Sequence, residues 1–382
     1  MKPYPVYTLW DIEPTTAHGC QLTDNKGTTY LDLYGGHAVI SIGHGHPTYV
    51  QALSTQLQRL GFYSNSVRNS LQEQLAEKLG QLSGYPDYDL FLCNSGAEAN
   101  ENALKLASFQ TGRQRVAAFT GAFHGRTSGA VAVTDNPRIN TPFNAPLPVD
   151  FLPFDNIPAL EEAFAHQAYA AVIVEGIQGV SGIHEASTAF FQRLRALCSA
   201  HGTCLILDEV QSGCGRTGSF FAHQAHGIQA DIITQAKGLG NGFPVGAVLI
   251  APWFTPSAGQ LGSTFGGNHL ACAAALAVLQ VIQEEHLMDN ALHTGNLLLK
   301  GLNELSQKYP SLLTEIRGRG LMLGIQLNPQ HPASATLRDK LLFERHIFTG
   351  GAGKYVIRLL PPLCLTSDQA AYFLTQFQSL LV

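Results

Sequence analysis

An acid and an amine follow two short apolar runs in the middle of the chain. Residues 204–207 (CLIL) are followed at once by Asp208, and Ile232 and Ile233 are followed shortly by Lys237. Short apolar runs bounded by polar residues are typical of buried strands. Because ligands bind beyond the carboxyl ends of the strands in an open α/β sheet, we expect the carboxylate and the amine to face one crevice.

This pair of groups is suited to one kind of covalent chemistry. A lysine amine forms a Schiff base with a carbonyl. An acid opposite a pyridinium nitrogen keeps that nitrogen protonated, so the ring of pyridoxal 5'-phosphate (PLP) can accept electrons. The pair alone leaves open that Asp208 caps the next turn and that Lys237 is a solvated surface amine.

A small turn before a predicted helix could bind the phosphate that such a cofactor carries. A strand over residues 90–93 ends at 94–97 (NSGA), and a helix is predicted from about residue 98 to 110. Ser95 and Glu98 have the spacing of a capping box. Free N–H groups and the helix dipole favour an anion there. The same segment would also fit an ordinary capped helix.

Three further side chains could contact a planar ring or a carboxylate. Phe123 follows a predicted strand at 115–119, where an aromatic ring can stack on another ring. Arg126 lies beside it and could bind a carboxylate with its two-pronged guanidinium. Arg358 lies between apolar residues of a predicted strand, which is costly unless it has a partner, and a substrate carboxylate is one such partner.

Strands and helices alternate through the central part of the chain, as in α/β proteins. Further strands are predicted at 170–174 and 246–250, helices at 49–60, 71–82, 189–200 and 270–286, and a long loop at 137–154. The pattern then changes to helices at 290–309 and 367–381 with strands at 320–327 and 355–360. This α+β tail is expected to form a smaller domain with an N-terminal hairpin at 19–34. The predicted domains are residues 46–285 for the large one, with 1–45 and 286–382 forming the small one.

Composition excludes several classes of protein. The 382 residues carry a net charge of −5, so nothing indicates binding to nucleic acid or to an anionic membrane. No run of about 18 apolar residues occurs and the first residues contain no apolar h-region, so we expect neither a membrane span nor a signal peptide. The seven cysteines show no C-x-x-C pair, and several lie in apolar runs (Cys93, Cys198, Cys204, Cys272), which indicates reduced core residues of a cytoplasmic protein.

Two other patterns are weaker. His37, His44 and His46 lie in a Gly-rich loop without a nearby cysteine or carboxylate, so we expect no metal there. Residues 238–243 (GLGNGF) imitate a dinucleotide fingerprint but end in Phe243 instead of glycine, which argues against a nicotinamide dehydrogenase.

Six segments, in order along nearly the whole chain, resemble the class III (ω-amino acid) aminotransferases, and most of all the acetylornithine branch of that family. No single segment is specific, but the ordered set is. The segments are 94–100 (NSGAEAN), 123–127 (FHGRT), 175–179 (EGIQG), 207–211 (LDEVQ) with 215–218 (GRTG), 236–240 (AKGLG) and 262–268 (GSTFGGN). The resemblance implies fold type I, with a mostly parallel seven-stranded sheet in the large domain.

The resemblance also implies a role for each matched residue. Lys237 would hold PLP through a Schiff base and move the proton, and Asp208 would pair with the pyridinium nitrogen. Phe123 and Val210 would pack on the two faces of the ring, and Gln211 would contact its hydroxyl. Gly96 and Ala97 would bind the phosphate, together with Thr264 of the partner subunit. Further cofactor contacts would come from Ser95, His124 and Glu175.

The reaction implied is a ping-pong transfer of an amino group. The donor would be N-acetylornithine or N-succinylornithine and the acceptor 2-oxoglutarate, giving N-acylglutamate 5-semialdehyde and glutamate in arginine biosynthesis. Arg126 and Ser263 would contact the substrate, and Arg358 would bind the α-carboxylate of 2-oxoglutarate or glutamate. Since the site in this family is shared between subunits, a homodimer is implied.

One segment departs from the family pattern. Relatives typically read EPIQGEGG, whereas residues 175–182 read EGIQGVSG. The second family Glu often masks the carboxylate-binding Arg, which Val180 cannot do. We hypothesise that Arg358 stays exposed and that Val180 alters donor selection. An ornithine or 4-aminobutyrate aminotransferase, a PLP aminomutase and a non-catalytic PLP-binding regulatory protein remain as alternatives.

Overall fold

The computed structural model describes residues 1–381, which form two seven-stranded sheets covered by helices. The strands are β1 (Pro14–His18), β2 (Gln21–Asp24), β3 (Thr29–Leu33), β4 (Asp89–Cys93), β5 (Val116–Phe119), β6 (Val149–Leu152), β7 (Ala171–Glu175), β8 (Cys204–Asp208), β9 (Ile232–Gln235), β10 (Gly246–Ile250), β11 (Leu313–Arg319), β12 (Met322–Leu327), β13 (Ile347–Ala352) and β14 (Val356–Leu359). The helices are α1 (Gly35–Ala38), α2 (Pro47–Arg59), α3 (Ser70–Ser83), α4 (Gly96–Thr111), α5 (Ser128–Ala132), α6 (Ile157–His166), α7 (Thr188–His201), α8 (His269–Glu284), α9 (Leu287–Lys308), α10 (Leu337–Arg345) and α11 (Ser367–Ser379).

The sheet formed by the middle of the chain is mostly parallel and has the order β4-β10-β9-β8-β7-β5-β6. Only β10 runs antiparallel to its neighbours β4 and β9. Strands β7, β8, β9 and β10 are buried along their whole length, which explains their continuous apolar runs. Glu175 pairs in register with Asp208, and Asp208 with Thr234, so three polar side chains meet at one edge. The predicted α/β class and fold type I are confirmed.

The other seven-stranded sheet joins the two ends of the chain. Its order is β1-β2-β3-β13-β14-β12-β11, and β3 pairs parallel with β13 while the other pairs are antiparallel. The N-terminal hairpin therefore completes the sheet formed by the C-terminal strands. The domain boundaries at 45/46 and 285/286 remain predictions.

Several elements differ from those expected. β6 lies inside segment 137–154, which was predicted to be a loop, and β11, β13 and α10 were not predicted. β6 is only four residues long and partly exposed at the sheet edge, β11 carries polar residues on an exposed edge, and β13 contains two glycines. Each of these features weakens the strand pattern in the sequence.

The helices pack around both sheets through apolar faces. Helix α8, with the sequence HLACAAALAVLQVIQE, is the most buried of the long helices and packs against α2, α3 and α9. Within residues 1–381 no single helix has the length and apolarity needed to cross a membrane, although α8 and α9, bent by 64° against each other, meet these criteria as a pair.

Candidate active site

The carboxylate at the end of β8 is buried and fully hydrogen-bonded. Asp208 is 4% exposed. Its Oδ2 accepts a hydrogen bond from Asn100 Nδ2 at 2.7 Å and lies 2.7 Å from His124 Nδ1, and its Oδ1 accepts one from the Val210 N–H at 2.9 Å. These contacts replace the hydrogen bonds to water that are lost on burial and fix the orientation of the carboxylate beneath the cavity.

Asn100 is a site residue that the sequence reasoning missed. Its amide also donates to the carbonyl of His124, and its Oδ1 accepts a hydrogen bond from the Thr234 hydroxyl at 2.6 Å. Helix α4 thereby fixes the position of Asp208 through a direct side-chain hydrogen bond. The matched segment 94–100 ends at this residue. A buried asparagine inside a helix needs partners, and this was the signal that could have found it.

Lys237 lies in a 3₁₀ turn, Lys237–Leu239, directly after β9. Its φ of +44° is in the left-handed region, an uncommon conformation for a lysine that costs about 1–3 kcal/mol and is concentrated at functional sites. Burial lowers the pKa of the amine, and Asp208 and Glu175 oppose this shift. A lowered pKa increases the fraction of neutral amine, which is the nucleophilic form.

These groups open into one cavity of about 620 Å³. Most of the predicted site residues line this cavity, and they are Ser95, Gly96, Ala97, Phe123, His124, Arg126, Glu175, Asp208, Val210, Gln211 and Lys237. Tyr7, Asn94, Asn100 and Phe243 line it as well but were not predicted. Ser263, Thr264 and Arg358 are not among the lining residues.

The N-terminus of α4 forms one wall of the cavity. Ser95 caps the helix by accepting a hydrogen bond from the Glu98 N–H at 3.1 Å. The expected capping box is only half formed, because the Glu98 carboxylate accepts from Asn94 instead of the Ser95 N–H. The N–H groups of Ser95, Gly96 and Ala97 have no hydrogen-bond acceptor within residues 1–381. These free donors at the positive end of a helix fit a phosphate.

Close packing explains the glycine at the start of this helix. A Cβ on Gly96 would lie 2.5 Å from Val210 Cγ1, which is too close for any side chain. The valine, which was predicted to pack on a cofactor ring, therefore lies directly against the predicted phosphate site. The two predicted contacts belong to one continuous surface of the cavity.

Glu175 holds the backbone around the cavity. Its carboxylate oxygens accept hydrogen bonds from the N–H groups of Phe123 at 3.0 Å and Gly179 at 3.1 Å. Burial raises the pKa of Glu175 to about 7, and the neighbouring Asp208 adds to this shift whereas His124 opposes it. Glu175 thus fixes the position of Phe123, whose half-buried ring lines the cavity.

Two buried polar atoms in the cavity wall have no hydrogen-bond partner within the described part of the chain. They are Gln211 Oε1 and His124 Nε2. Unsatisfied buried polar atoms are rare in folded proteins, and at a cavity they indicate a ligand group that completes them. The Gln211 oxygen fits the ring hydroxyl of PLP, so the acid, the amine, the helix N-terminus and this acceptor together fit the cofactor.

The three residues outside the cavity have different surroundings. Ser263 Oγ accepts hydrogen bonds from Asn94 Nδ2 and the Gly266 N–H. Ser263 therefore contacts Asn94, a residue of the cavity wall, without lining the cavity itself. Thr264 is exposed and lines a separate cleft of about 500 Å³ with residues such as Phe62 and Asn65. Within one chain, Thr264 is therefore not brought to the predicted phosphate site.

Arg358 is buried, which corrects the expectation that it stays exposed. It is 4% exposed, and its Nη1 donates a hydrogen bond to the Gly179 carbonyl at 2.9 Å. Its Nε has no partner among residues 1–381, and burial lowers the pKa of the guanidinium. Val180 is 41% exposed and lines the cavity. The backbone at 179–180 covers the arginine. The sequence pattern did not predict this contact.

The three histidines of the Gly-rich loop contact separate partners. His37 contacts the Tyr34 hydroxyl, His44 lies 2.9 Å from Asp32, and His46 lies 2.8 Å from Glu285. No group of three or more metal-ligating side chains occurs within residues 1–381.

The fold and the cavity define a class of protein. A mostly parallel sheet that brings a lysine amine, a buried acid and the free N–H groups of a helix N-terminus to one cavity is the arrangement of PLP-dependent enzymes of fold type I. The chain belongs to the class-III aminotransferases, whose family model matches residues 6–381. It is therefore a PLP-dependent transaminase that acts on small molecules.

Individual relatives agree with this assignment. The acetylornithine aminotransferase of Bacillus subtilis (strain 168) is 41% identical over 374 residues, 96% of this chain and 94% of that protein. The crystal structure of an acetylornithine aminotransferase from Elizabethkingia anophelis has a TM-score of 0.86 at 31% identity and covers 99% of this chain and 95% of its own. An ornithine aminotransferase from Toxoplasma gondii, with PLP at partial occupancy in its active site, has a TM-score of 0.92 at 30% identity, with coverages of 99% and 92%.

Proposed function

We propose that this transaminase moves the terminal amino group of N-acetylornithine or N-succinylornithine to 2-oxoglutarate, giving N-acylglutamate 5-semialdehyde and glutamate in arginine biosynthesis. The observation that carries the transamination is the meeting of Lys237 and Asp208 in one cavity. The choice of donor is supported by curated relatives at about 40% identity that are named acetylornithine aminotransferases. The similarity in fold to ornithine aminotransferases keeps ornithine as the competing donor.

The chain's own side chains divide the work between them. PLP, when bound, supplies a conjugated ring that accepts electrons from the carbon bearing the amino group. The Lys237 amine, whose pKa is lowered by burial, can form the covalent bond to the cofactor and then hold or move a proton at Nζ. Asp208, fixed by Asn100 and His124, supplies the negative charge opposite the ring nitrogen.

The remaining cofactor residues would orient the ring and its phosphate. Phe123 and Val210 would pack on its two faces, and Gln211 would accept a hydrogen bond from its hydroxyl. The free N–H groups at Ser95, Gly96 and Ala97 would bind the phosphate. Each proposal is supported by the position of the residue in the cavity wall.

Two cations are proposed to bind substrate carboxylates. Arg126 lines the cavity and is exposed, so its guanidinium is free to pair with the carboxylate of an N-acylated amino acid. Ser263, which contacts the wall residue Asn94, is proposed as a further substrate contact. Arg358 would bind the α-carboxylate of glutamate or 2-oxoglutarate. Its Nη1 donates to the Gly179 carbonyl, whereas its Nε has no partner among residues 1–381.

The donor is tested by a half-reaction without any 2-oxoacid. The holoenzyme is mixed with N-acetylornithine, N-succinylornithine, ornithine or 4-aminobutyrate, and the visible spectrum is recorded. We expect an N-acylornithine to convert the lysine-bound cofactor into its aminated form fastest. Faster conversion by free ornithine or 4-aminobutyrate would contradict the proposed donor, and a protein that PLP cannot reconstitute would contradict the cofactor site.

The role of Val180 is tested in the same assay. Val180 lines the cavity next to the carbonyl that Arg358 contacts. A glutamate at this position could pair with Arg358 and mask its charge. We expect Val180→Glu to shift the ranking away from N-acetylornithine and N-succinylornithine and toward free ornithine and 4-aminobutyrate. An unchanged ranking would exclude Val180 as a determinant of donor choice.

We further propose a homodimer in which Thr264 of the partner subunit completes the phosphate site. Helix α2 has no buried residue, although it carries Val50 and Leu57, and Phe62 packs on Phe265 while both rings stay largely exposed. Exposed apolar residues that cluster in this way mark an interaction surface. Phe62 lines the same cleft as Thr264, and Phe265 follows Thr264 in the chain, so the proposed interface would bring Thr264 to a second chain.

A reducing cytoplasmic location is also proposed. All seven cysteines are free thiols, and all but Cys364 are buried. Free buried thiols are typical of proteins in a reducing compartment.

A further inference from the structure

Two cysteines that are distant in sequence face each other where the two ends of the chain meet. Cys20 lies in the turn between β1 and β2, and Cys364 lies in the connection between β14 and α11. Their Sγ atoms are 3.7 Å apart. Neither residue takes part in the proposed transamination, so their contact requires a separate explanation.

The surroundings of the two thiols are unequal. Cys20 is 2% exposed, whereas Cys364 is partly exposed. The hydrogen bond with Cys20 lowers the pKa of Cys364, and the same contact, together with burial, raises the pKa of Cys20. A partly accessible thiol of lowered pKa next to a second thiol is the arrangement found at redox-sensitive cysteines, where the second thiol resolves the first oxidation product.

We propose that Cys20 and Cys364 form a dithiol site that hydroperoxides oxidise to an intramolecular disulfide, and that this oxidation lowers transaminase activity. The Cys364 thiolate attacks one oxygen of the peroxide. An S–O bond forms, the O–O bond breaks, and the alcohol, or water in the case of hydrogen peroxide, leaves after protonation. The Cys20 sulfur then attacks Cys364, the S–S bond forms, and the S–O bond breaks to release water. Two thiols are oxidised and one peroxide is reduced.

The disulfide would act on the active site through a short chain of contacts. Cys364 packs on Gly43, where an added Cβ would lie 2.7 Å from Sγ. The backbone next to Gly43 is bound to the turn that carries Lys237, because Ser41 Oγ donates to the Gly238 carbonyl at 2.6 Å. Asn241 strengthens this connection by accepting from the Ser41 and Ile42 N–H groups and donating to the Gly43 carbonyl.

Closing the bond requires the sulfur atoms to approach from 3.7 Å to about 2.05 Å. This movement draws Cys364 toward Cys20 and changes its packing on Gly43. The segment 41–43 then shifts with the turn at Lys237. Small displacements of a reacting group lower rates strongly, so we expect kcat/KM to fall roughly 10-fold or more.

The test treats the holoenzyme with hydrogen peroxide and follows both mass and activity. Glutamate serves as the amino donor, so the result does not depend on which N-acylornithine is used. We expect a mass loss of about 2 Da, a linked Cys20–Cys364 peptide, a parallel loss of activity, and recovery of both with dithiothreitol.

Three variants separate this site from general oxidation. Cys20→Ser should stop at the sulfenic acid of Cys364, a mass gain of about 16 Da, and Cys364→Ser should gain no disulfide. Cys198→Ala, which removes a fully buried thiol in α7, should behave like the wild type. A peroxide-treated wild type without the Cys20–Cys364 bond would overturn the proposal, and so would a bond that leaves the activity unchanged.

Discussion

At the residue scale, the active site depends on three ionisable groups that are held in unequal environments. Asp208 is surrounded by donors, the amine of Lys237 has no hydrogen-bond partner among residues 1–381, and Glu175 is buried with two backbone donors. Burial therefore shifts the pKa values of Lys237 and Glu175 in opposite directions. It lowers the pKa of the amine and raises that of the carboxyl group.

Lys237 is the residue on which the covalent chemistry is expected to depend. Replacing it by alanine removes both the Schiff-base amine and the group that moves the proton, so Lys237→Ala should lower kcat by roughly 10³-fold or more. Borohydride reduction followed by peptide mapping provides a readout that does not depend on activity. The wild type should carry the cofactor on the Lys237 peptide and the variant should carry none; labelling of another lysine would contradict the assignment.

Glu175 makes stability depend on pH. Its pKa is raised from 4.5 to about 7, so the folded state binds the proton more tightly than the unfolded state does. The resulting stability is fully present below pH 4.5 and is lost as the pH rises through about 7. The shift corresponds to about 3 kcal/mol.

Glu175→Gln imitates the protonated acid and should remove this dependence. Between about pH 4.5 and 8, the cofactor-free wild type should lose about 3 kcal/mol more unfolding free energy than the variant. Urea unfolding at a series of pH values measures the difference. Parallel pH profiles for the two proteins would show that the acid is already ionised in the folded state at low pH.

At the element scale, helix α4 connects two parts of the site. Its first residues present free N–H groups to the cavity, and Asn100, about one turn further along, holds Asp208. One rigid helix thereby sets the distance between the predicted phosphate site and the predicted partner of the ring nitrogen. The sequence predicted the helix and its cap, but Asn100 could be placed opposite Asp208 only once the packing of α4 on β8 was known.

The helix cap and the predicted phosphate site can be separated by a matched pair of variants. Ser95→Ala and Ser187→Ala each remove a serine that caps a helix, α4 in the first case and α7 in the second. Each should cost about 1 kcal/mol of stability. Only Ser95→Ala should also weaken PLP binding, measured as the Kd of the cofactor-free protein in a fluorescence titration. Equal Kd values for the two variants would exclude the Ser95 hydroxyl from the cofactor site.

Elements were predictable from the sequence where one pattern dominated. The buried strands β7, β8 and β9 and the amphipathic helices follow from apolar runs and helical periodicity. Short or exposed edge strands such as β6 and β11 could not be predicted, because their stability comes from a neighbouring strand instead of their own composition. The burial of Arg358 under the Gly179 carbonyl is likewise a result of tertiary packing.

At the scale of the whole molecule, the cavity of one chain lacks a predicted contribution. Thr264 belongs to a segment that resembles the family site, yet it lies in a separate cleft and not in the wall of its own cavity. The family resemblance predicted both the residue and the chain that it serves, namely the partner subunit. A dimer with shared sites explains both facts, because a C₂ interface exchanges the same surface between the two subunits.

Mixed dimers show whether Thr264 contributes to the site of its own chain or to the site of the partner subunit. Lys237→Ala and Thr264→Asp are placed on different subunits that carry different affinity tags, and the heterodimer is isolated. If Thr264 serves the partner, the subunit that keeps Lys237 receives an intact Thr264 from the other chain, so about half of the wild-type activity is expected. If Thr264 serves its own chain, both sites are damaged and the heterodimer is inactive.

A second heterodimer carries both substitutions on one subunit and controls for how severe each substitution is. When both substitutions lie on one subunit and the partner is wild type, a shared site loses both active centres, because the intact Lys237 meets the aspartate of the other chain. A self-contained site would instead keep about half of the activity in this arrangement. The two heterodimers contain the same four residues at the two positions, so only their distribution between subunits differs. Any difference in activity therefore reports which chain Thr264 serves.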